Sequence, residues 1–241
     1  MVGVFFTQWQ PTMTSDIYTD GSYLEKNPTW DVEDAPWKAR QVRTIFTRNA
    51  LEPLSVCEIG CGAGEILSQL SHAMPKTRFT GYEISPQALE LCRARQSDRI
   101  EFKLGDVNEA SVHYDCALCI DVFEHVEDYL GFVRSIRPKA DYTIFHIPLE
   151  LSISSVLRDA MMDARARVGH LHYFTKATAL ATLEHCGYEI VDHFYTTPFR
   201  DMAPRGIGER VARLPRRALF AVSPDWMVRL VGGCSLLVLA R

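Results

Sequence analysis

The sequence predicts an α/β fold, a mostly parallel sheet with helices on both faces. Two observations carry this. Short apolar runs at 54–59, 78–83, 100–104, 114–120, 141–147, 188–195 and 235–239 alternate with segments of helical pattern. The stretch Val56-Cys57-Glu58-Ile59-Gly60-Cys61-Gly62-Ala63-Gly64-Glu65 also reads as a buried strand, a glycine loop and the start of a helix. Leu54, Val56 and Ile59 suit a strand covered on both faces. Gly60, Gly62 and Gly64 permit a sharp turn and let a ligand lie against bare backbone. The helix from Glu65 to about Ala73 offers its N-terminal amides to whatever sits in the turn.

Spacing narrows the ligand. The dinucleotide fingerprint is G-x-G-x-x-G. Here the third glycine comes one place early, at Gly64, and Glu65 takes the fingerprint position. Glu58, just before the turn, would repel a pyrophosphate but suits a cationic amino-acid end. This E-x-G-x-G-x-G run resembles motif I of the class I methyltransferases that use S-adenosyl-L-methionine. That ligand carries an ammonium, a sulfonium and a ribose, and no phosphate. The resemblance implies a Rossmann-like sheet of seven strands, mostly parallel, closed by an antiparallel last strand. It also implies S-adenosyl-L-methionine as cofactor and S-adenosyl-L-homocysteine as product. A glycine-rich turn without a ligand is the alternative.

The 241 residues suffice for one well-buried domain with a small cap. Its expected parts are an N-terminal arm and helix (1–50), a cofactor-binding core (51–148), a cap insertion (149–175) and a C-terminal, substrate-side half with the closing strands (176–241). A net charge of -4 argues against nucleic acid as an obligatory partner. Seven cysteines include Cys57, Cys116, Cys119 and Cys234 in apolar, strand-like runs, where cysteine acts as a small hydrophobe. Cys116-x-x-Cys119 has the spacing of a redox or zinc pair, but on a strand the two side chains face opposite ways. A reduced, cytoplasmic chain without a metal knuckle is expected. The apolar start at 1–6 lacks the basic flank and long apolar core of a secretory signal, and no run is long enough for a membrane span.

Residues 7–36 show no clear period and read as an ordered arm rather than a helix pair. Tyr18, Tyr23, Trp30 and Trp37 are too many aromatics for a disordered tail. They serve either as a lid, with Tyr23, Trp30 and Trp37 lining the pocket, or as packing against the core. A helix is expected from near Pro36, with Asp34 close to its cap.

Four strand ends then carry acids in order. Glu83 ends the second strand, near the roughly 20-residue offset at which an acid meets ribose hydroxyls. Ser85-Pro86 begins the next helix. Gly105-Asp106-Val107 follows the third strand, where an acid can accept from an adenine amine and the next amide can serve the ring. A turn aspartate capping its own backbone is the plainer reading. Asp121-Val122-Phe123-Glu124-His125-Val126 follows the fourth strand and is similar to the family's motif there. The resemblance thus sets the cofactor against Glu58, Gly60, Cys61, Gly62 and Gly64 from the first turn. From the later turns it adds Glu83, Ile84, Asp106, Val107, Asp121, Val122 and Phe123, and the arm brings Tyr23 and Trp37. Asp121 faces the methionine amine or the acceptor. Glu124 and His125 are expected to begin a helix running through Tyr129 and Val133, with Glu124 favoured there by the helix dipole.

Histidine is the side chain best suited to take an acceptor proton near neutral pH. The candidates are His125 and His146 beside strand ends, and His170 and His172 in the run Gly169-His170-Leu171-His172-Tyr173-Phe174-Thr175. In an extended run His170 and His172 would share a face. Their readings are a base or substrate contact, structural hydrogen bonding, or metal ligation, the last without a carboxylate or cysteine nearby in sequence. His170 or His172 is the preferred base. The basic stretch with Arg200, Arg205, Arg210, Arg213, Arg216 and Arg217 either greets an anionic acceptor or forms a solvated helix face. The function expected is methylation of a small-molecule acceptor, on oxygen, in a natural product or sugar-type metabolite. Methylation at nitrogen or carbon, or cofactor binding without transfer, are the alternatives. The partners expected are that acceptor and, as an alternative to a single chain, a second copy in a homodimer, with no nucleic acid and no membrane span.

Overall fold

The computed structural model describes residues 16–30, 32–203 and 206–241. The apolar start, the first part of the arm and Arg205 lie outside the described residues.

Seven strands form one sheet: β1 (Ser55–Ile59), β2 (Arg78–Glu83), β3 (Ile100–Leu104), β4 (Tyr114–Ile120), β5 (Ala140–Pro148), β6 (Ile190–Thr196) and β7 (Ser235–Ala240). Their spatial order is β3-β2-β1-β4-β5-β7-β6. The pairs from β3 across to β5 are parallel, and β7 runs antiparallel between β5 and β6. The sheet is therefore mixed, with the expected antiparallel closure. The order reverses at β1, which pairs with both β2 and β4. Such a switch point opens a crevice beyond the carboxyl ends of the strands.

The N-terminal helices are α1 (Asp16–Thr19), α2 (Ser22–Lys26) and α3 (Ala35–Arg48). Between the strands run α4 (Glu65–Ala73), α5 (Pro86–Cys92), α6 (Tyr129–Ile136), α7 (Ile153–Leu157), α8 (Ala160–Val168) and α9 (Lys176–His185). After β6 come α10 (Pro198–Asp201), α11 (Ile207–Val222) and α12 (Pro224–Leu230). Two starts follow directly from sequence. Ser85 accepts from the Ala88 amide at the head of α5, and Thr175 with Thr178 forms a capping box on α9.

Alternate strand residues feed two cores. Cys57, Ile59, Ala117, Cys119, Phe145 and Val238 pack on one face. Val56, Cys116, Leu118, Ile144 and Leu237 pack on the other, beneath Val42, Ile45 and Phe46 of α3. Cys116 and Cys119 do sit on opposite faces, as strand alternation requires. All seven cysteines are free and buried. Among the described residues no helix is long and apolar enough to cross a membrane.

Four local expectations need correction. Leu54 precedes β1 and is exposed, and its amide bonds the Asp115 carboxylate at 2.7 Å. The described part of the arm is two short helices, not an irregular strap. Glu124 and His125 lie in a 3₁₀ turn, Phe123–His125, and the helix restarts at Tyr129 where the Asp128 side chain caps it. On α11 the expected solvated face carries the apolar Ile207, Val211 and Leu214 and not all of the arginines. Arg213 is buried instead, donating to the Met202 carbonyl.

Candidate active site

A cavity of about 650 Å³ occupies the crevice at the switch point. Glu58, Gly60, Cys61 and Gly62 line it from β1 and its turn. Glu83, Asp106 and Asp121 line it from the next three strand ends, and Tyr18, Tyr23, Trp30 and Trp37 close it from the arm and α3.

At the glycine turn the backbone requires its sequence. Gly62 has φ +54, and a Cβ there would meet the Trp30 ring at 2.7 Å. The Gly62 amide donates to Glu83 Oε2 at 2.8 Å, and the Ser85 amide donates to Oε1 at 2.9 Å. One carboxylate thus ties two strand ends together. Burial raises the Glu83 carboxyl, against the pull of those amides. Each of its oxygens keeps a lone pair for a further donor.

Glu58 is 2% exposed, and its Oε2 has no hydrogen-bond partner. Burial pushes this carboxyl well above the usual range, with Lys38 pulling the other way. An orphaned carboxylate oxygen facing a cavity is a receptor for a cationic group. The Glu58 acid, the bare glycine backbone and the Glu83 carboxylate therefore fit a ligand with an ammonium and a ribose.

Asp121 has φ 54, a strained value for aspartate, at the very end of β4. Its carboxylate pairs with Lys38 Nζ at 2.8 Å and with His146 Nδ1 at 2.6 Å. Burial alone would raise it, but His146 and Lys38 hold it well below the usual carboxylate range. His146 Nε2 meets the Thr196 hydroxyl at 2.9 Å, so both ring nitrogens are engaged.

At the far end three residues converge. His125 Nδ1 lies 2.8 Å from the Tyr18 hydroxyl, which itself donates to the Val168 carbonyl at 2.7 Å. His170 Nδ1 lies 2.7 Å from Glu150 Oε2. The two rings meet edge to face, 4.7 Å apart. Burial and the neighbouring His170 push His125 down to about 3. Glu124 is 1% exposed, and neither carboxylate oxygen has a hydrogen-bond partner. Burial, and then the Asp121 charge, push it well above the usual range.

Residues 35–193 match the family model described as "Methyltransferase domain". The chain belongs to this methyltransferase family. It is 36% identical over 131 residues to trans-aconitate 2-methyltransferase of Streptomyces coelicolor, covering 46% of this chain and 43% of that one. It is 27% identical over 180 residues to ribosomal RNA small subunit methyltransferase C of Yersinia pseudotuberculosis, covering 66% of this chain and 45% of the relative. The chain thus spans under half of each of these relatives. Magnesium protoporphyrin IX methyltransferase from Synechocystis PCC 6803, solved with bound SAM, superposes with TM-score 0.61 at 14% identity, over 97% of this chain and 99% of that one. The plantazolicin methyltransferase in complex with SAH gives 0.60 at 15% identity, over 95% and 93%.

Against this methyltransferase fold, most of the residues expected at the site line one cavity. Ile84, Val107 and Val122 line it, as do His125, His146 and His170. Three do not. Gly64 turns away and packs under Phe102, whose ring would lie 2.5 Å from a Cβ there. Phe123 is fully buried among Tyr129, Phe145 and Phe174. His172 bonds the Val126 carbonyl at 2.9 Å and packs on Tyr129, away from the cavity. Asp106 makes the capping bond of the plainer reading, its Oδ1 accepting from Asn108 at 2.8 Å, and still lines the cavity. Among the described arginines of the basic stretch none lines the cavity. Arg167 does, from α8. Sequence reasoning missed Lys38, Tyr18 and Glu150, and it preferred a helix-dipole role for Glu124, whose carboxylate lies beside His125 and His170.

Proposed function

We propose that this chain transfers the methyl group of S-adenosyl-L-methionine to a hydroxyl of a small-molecule acceptor. The observation that carries the reading is the order of acids around one cavity: Glu58, Glu83, Asp106 and Asp121 at four neighbouring strand ends. Glu58 takes the methionine ammonium through its orphaned oxygen, and Glu83 takes the ribose hydroxyls. Asp106 and Val107 flank the adenine, and Ile84 covers it. Asp121, held by Lys38 and His146, faces the sulfonium end. Tyr23 and Trp37 wall the site from the arm side.

Methyl transfer is an in-line displacement at carbon with a good leaving group, so the protein mainly aligns the acceptor and removes its proton. The acceptor lies at the His125–His170 end, and the proton is removed there. His146 is a positioning residue for Asp121, since both its nitrogens are taken. The net charge of -4 suits a small acceptor better than a nucleic acid. Cytoplasmic placement fits the free thiols.

Calorimetry with S-adenosylmethionine and S-adenosylhomocysteine tests the cofactor. Both bind, and NAD does not compete. Binding of NAD without any response to S-adenosylhomocysteine overturns the reading. A radiolabelled methyl-transfer screen across hydroxyl, amine and carbon acceptors then tests the acceptor atom, and exclusive labelling of amines or carbon overturns O-methylation.

A further inference from the structure

We propose that Glu124, His125 and His170 bind one divalent first-row transition-metal ion, of Zn²⁺ type, at the acceptor end of the cavity. Each offers one ligand atom, and the three atoms lie within 4.8 Å of one another. Around a single tetrahedral ion, donors at roughly 2.0–2.2 Å lie about 3.3–3.6 Å from each other, so side-chain rotation must draw the widest pair in by about an ångström.

The hydrogen bonds set the tautomers. Tyr18 spends its only hydroxyl proton on the Val168 carbonyl, so its oxygen accepts from His125, which places the proton on Nδ1. A carboxylate likewise accepts from His170 Nδ1. That leaves the Nε2 lone pair of each ring to serve as ligand atom, which for His125 requires giving up the contact of its ring with the Gly169 carbonyl. An imidazole whose outer nitrogen is held by a carboxylate or hydroxyl is the usual arrangement behind a ligating histidine.

Glu124 is the second, independent observation. It is 1% exposed, yet both oxygens lack a hydrogen-bond partner. Buried carboxyl groups are otherwise hydrogen-bonded, paired or bound to a metal. The frame is firm as well. The Glu124 carbonyl accepts from the amides of Leu171 and His172, which clamps the His170 segment onto the turn that carries Glu124 and His125. Two imidazoles and one carboxylate are a borderline nitrogen and oxygen set that suits Zn²⁺ and its first-row neighbours rather than Ca²⁺ or Mg²⁺. Three protein ligands leave at least one position for an outside oxygen. His125 and His170 line the cavity, so that position opens toward the acceptor.

This deepens the methyl-transfer reading and rests on it for the chemistry, while ion binding stands by itself. A hydroxyl bound to the ion loses its proton to solvent water more readily. Its oxygen then forms the bond to the methyl carbon as the carbon–sulfur bond breaks. The electron pair stays on sulfur and leaves S-adenosylhomocysteine.

The test is titration of chelator-stripped full-length protein with Zn²⁺ by calorimetry and with Co²⁺ by visible absorption, without cofactor or acceptor. One ion per chain is expected, with Co²⁺ bands of a four- or five-coordinate site. His125→Ala and His170→Ala should each weaken Zn²⁺ binding by more than about 100-fold. Glu150→Gln, acting behind a ligand, should cost about 10–100-fold. His172→Ala should bind as the parent does. Circular dichroism and S-adenosylhomocysteine affinity show that each variant is folded. Failure of the parent to bind either ion overturns the proposal, as does unchanged affinity in both histidine variants. If the parent binds S-adenosylhomocysteine but no ion, the metal site falls and methyl transfer stands. If it binds the ion but no S-adenosylhomocysteine, the reverse holds.

Discussion

Replacing Glu83 separates its two jobs. In the structure it accepts from the amides of Gly62 and Ser85 and is 5% exposed. In Glu83→Ala the buried Ser85 amide and the half-buried Gly62 amide lose their acceptor, at about 1–3 kcal/mol each. The sum is roughly 2–6 kcal/mol, and at about 2–4 °C per kcal/mol for a chain of this size the melting temperature should fall by roughly 4–24 °C. The ribose contacts add a separate loss on binding. Charge-assisted hydrogen bonds are worth about 1.5–3 kcal/mol, so S-adenosylhomocysteine affinity should drop roughly 10- to 150-fold. Turn distortion could mimic that loss, so the ligand is varied too. A deoxyribose analogue of S-adenosylhomocysteine should lose affinity on the parent but little more on Glu83→Gln, which keeps one acceptor for the turn. Thermal melts and calorimetry on the four combinations suffice. Equal losses for the analogue on parent and variant would refute ribose binding by Glu83.

Three further outcomes are expected. Glu58 is raised by burial and ionises to meet an ammonium, so S-adenosylmethionine affinity should rise with pH above the ordinary 4.5 in the parent and stay flat in Glu58→Gln, as followed by calorimetry across pH. Asp121 is depressed below its ordinary 3.8, so the stability it adds is present above that pH and is lost as pH falls through the folded value. The melting-temperature gap between the parent and Asp121→Asn should therefore be full near neutrality and shrink in acid, and a gap that widens in acid would contradict this. His172→Ala should keep a near-parental rate of methyl transfer, whereas His170→Ala should lower kcat by about 10²–10⁴-fold with cofactor affinity retained.

The fold was legible because its signals are local. Each strand from β1 to β4 reads as a short apolar run ending in a turn with an acid, and a parallel sheet sets successive strand ends side by side. Glu58, Glu83, Asp106 and Asp121 therefore fall into one row without knowledge of a single tertiary contact. The antiparallel closing strand was legible by resemblance, not by pattern, since nothing in Ser235–Ala240 reveals that β7 enters between β5 and β6.

The His125–His170 end of the cavity was legible only in residue types, because its geometry comes from elements far apart in the chain. Lys38 reaches Asp121 from α3, Tyr18 reaches His125 from α1, and Glu150 reaches His170 from beyond β5. None of these pairs has a spacing that a sequence can display. The choice between His170 and His172 shows how local reasoning fails there. Two residues apart on a strand they would share a face. Residues 169–175 form no strand, however, and the amides of Leu171 and His172 both turn onto one carbonyl, that of Glu124. The turn sends His170 into the cavity and His172 back against Tyr129. The same two bonds carry the carboxylate of Glu124 to His170, so the acid that sequence spacing could not supply is delivered by the backbone contact that separates the two histidines.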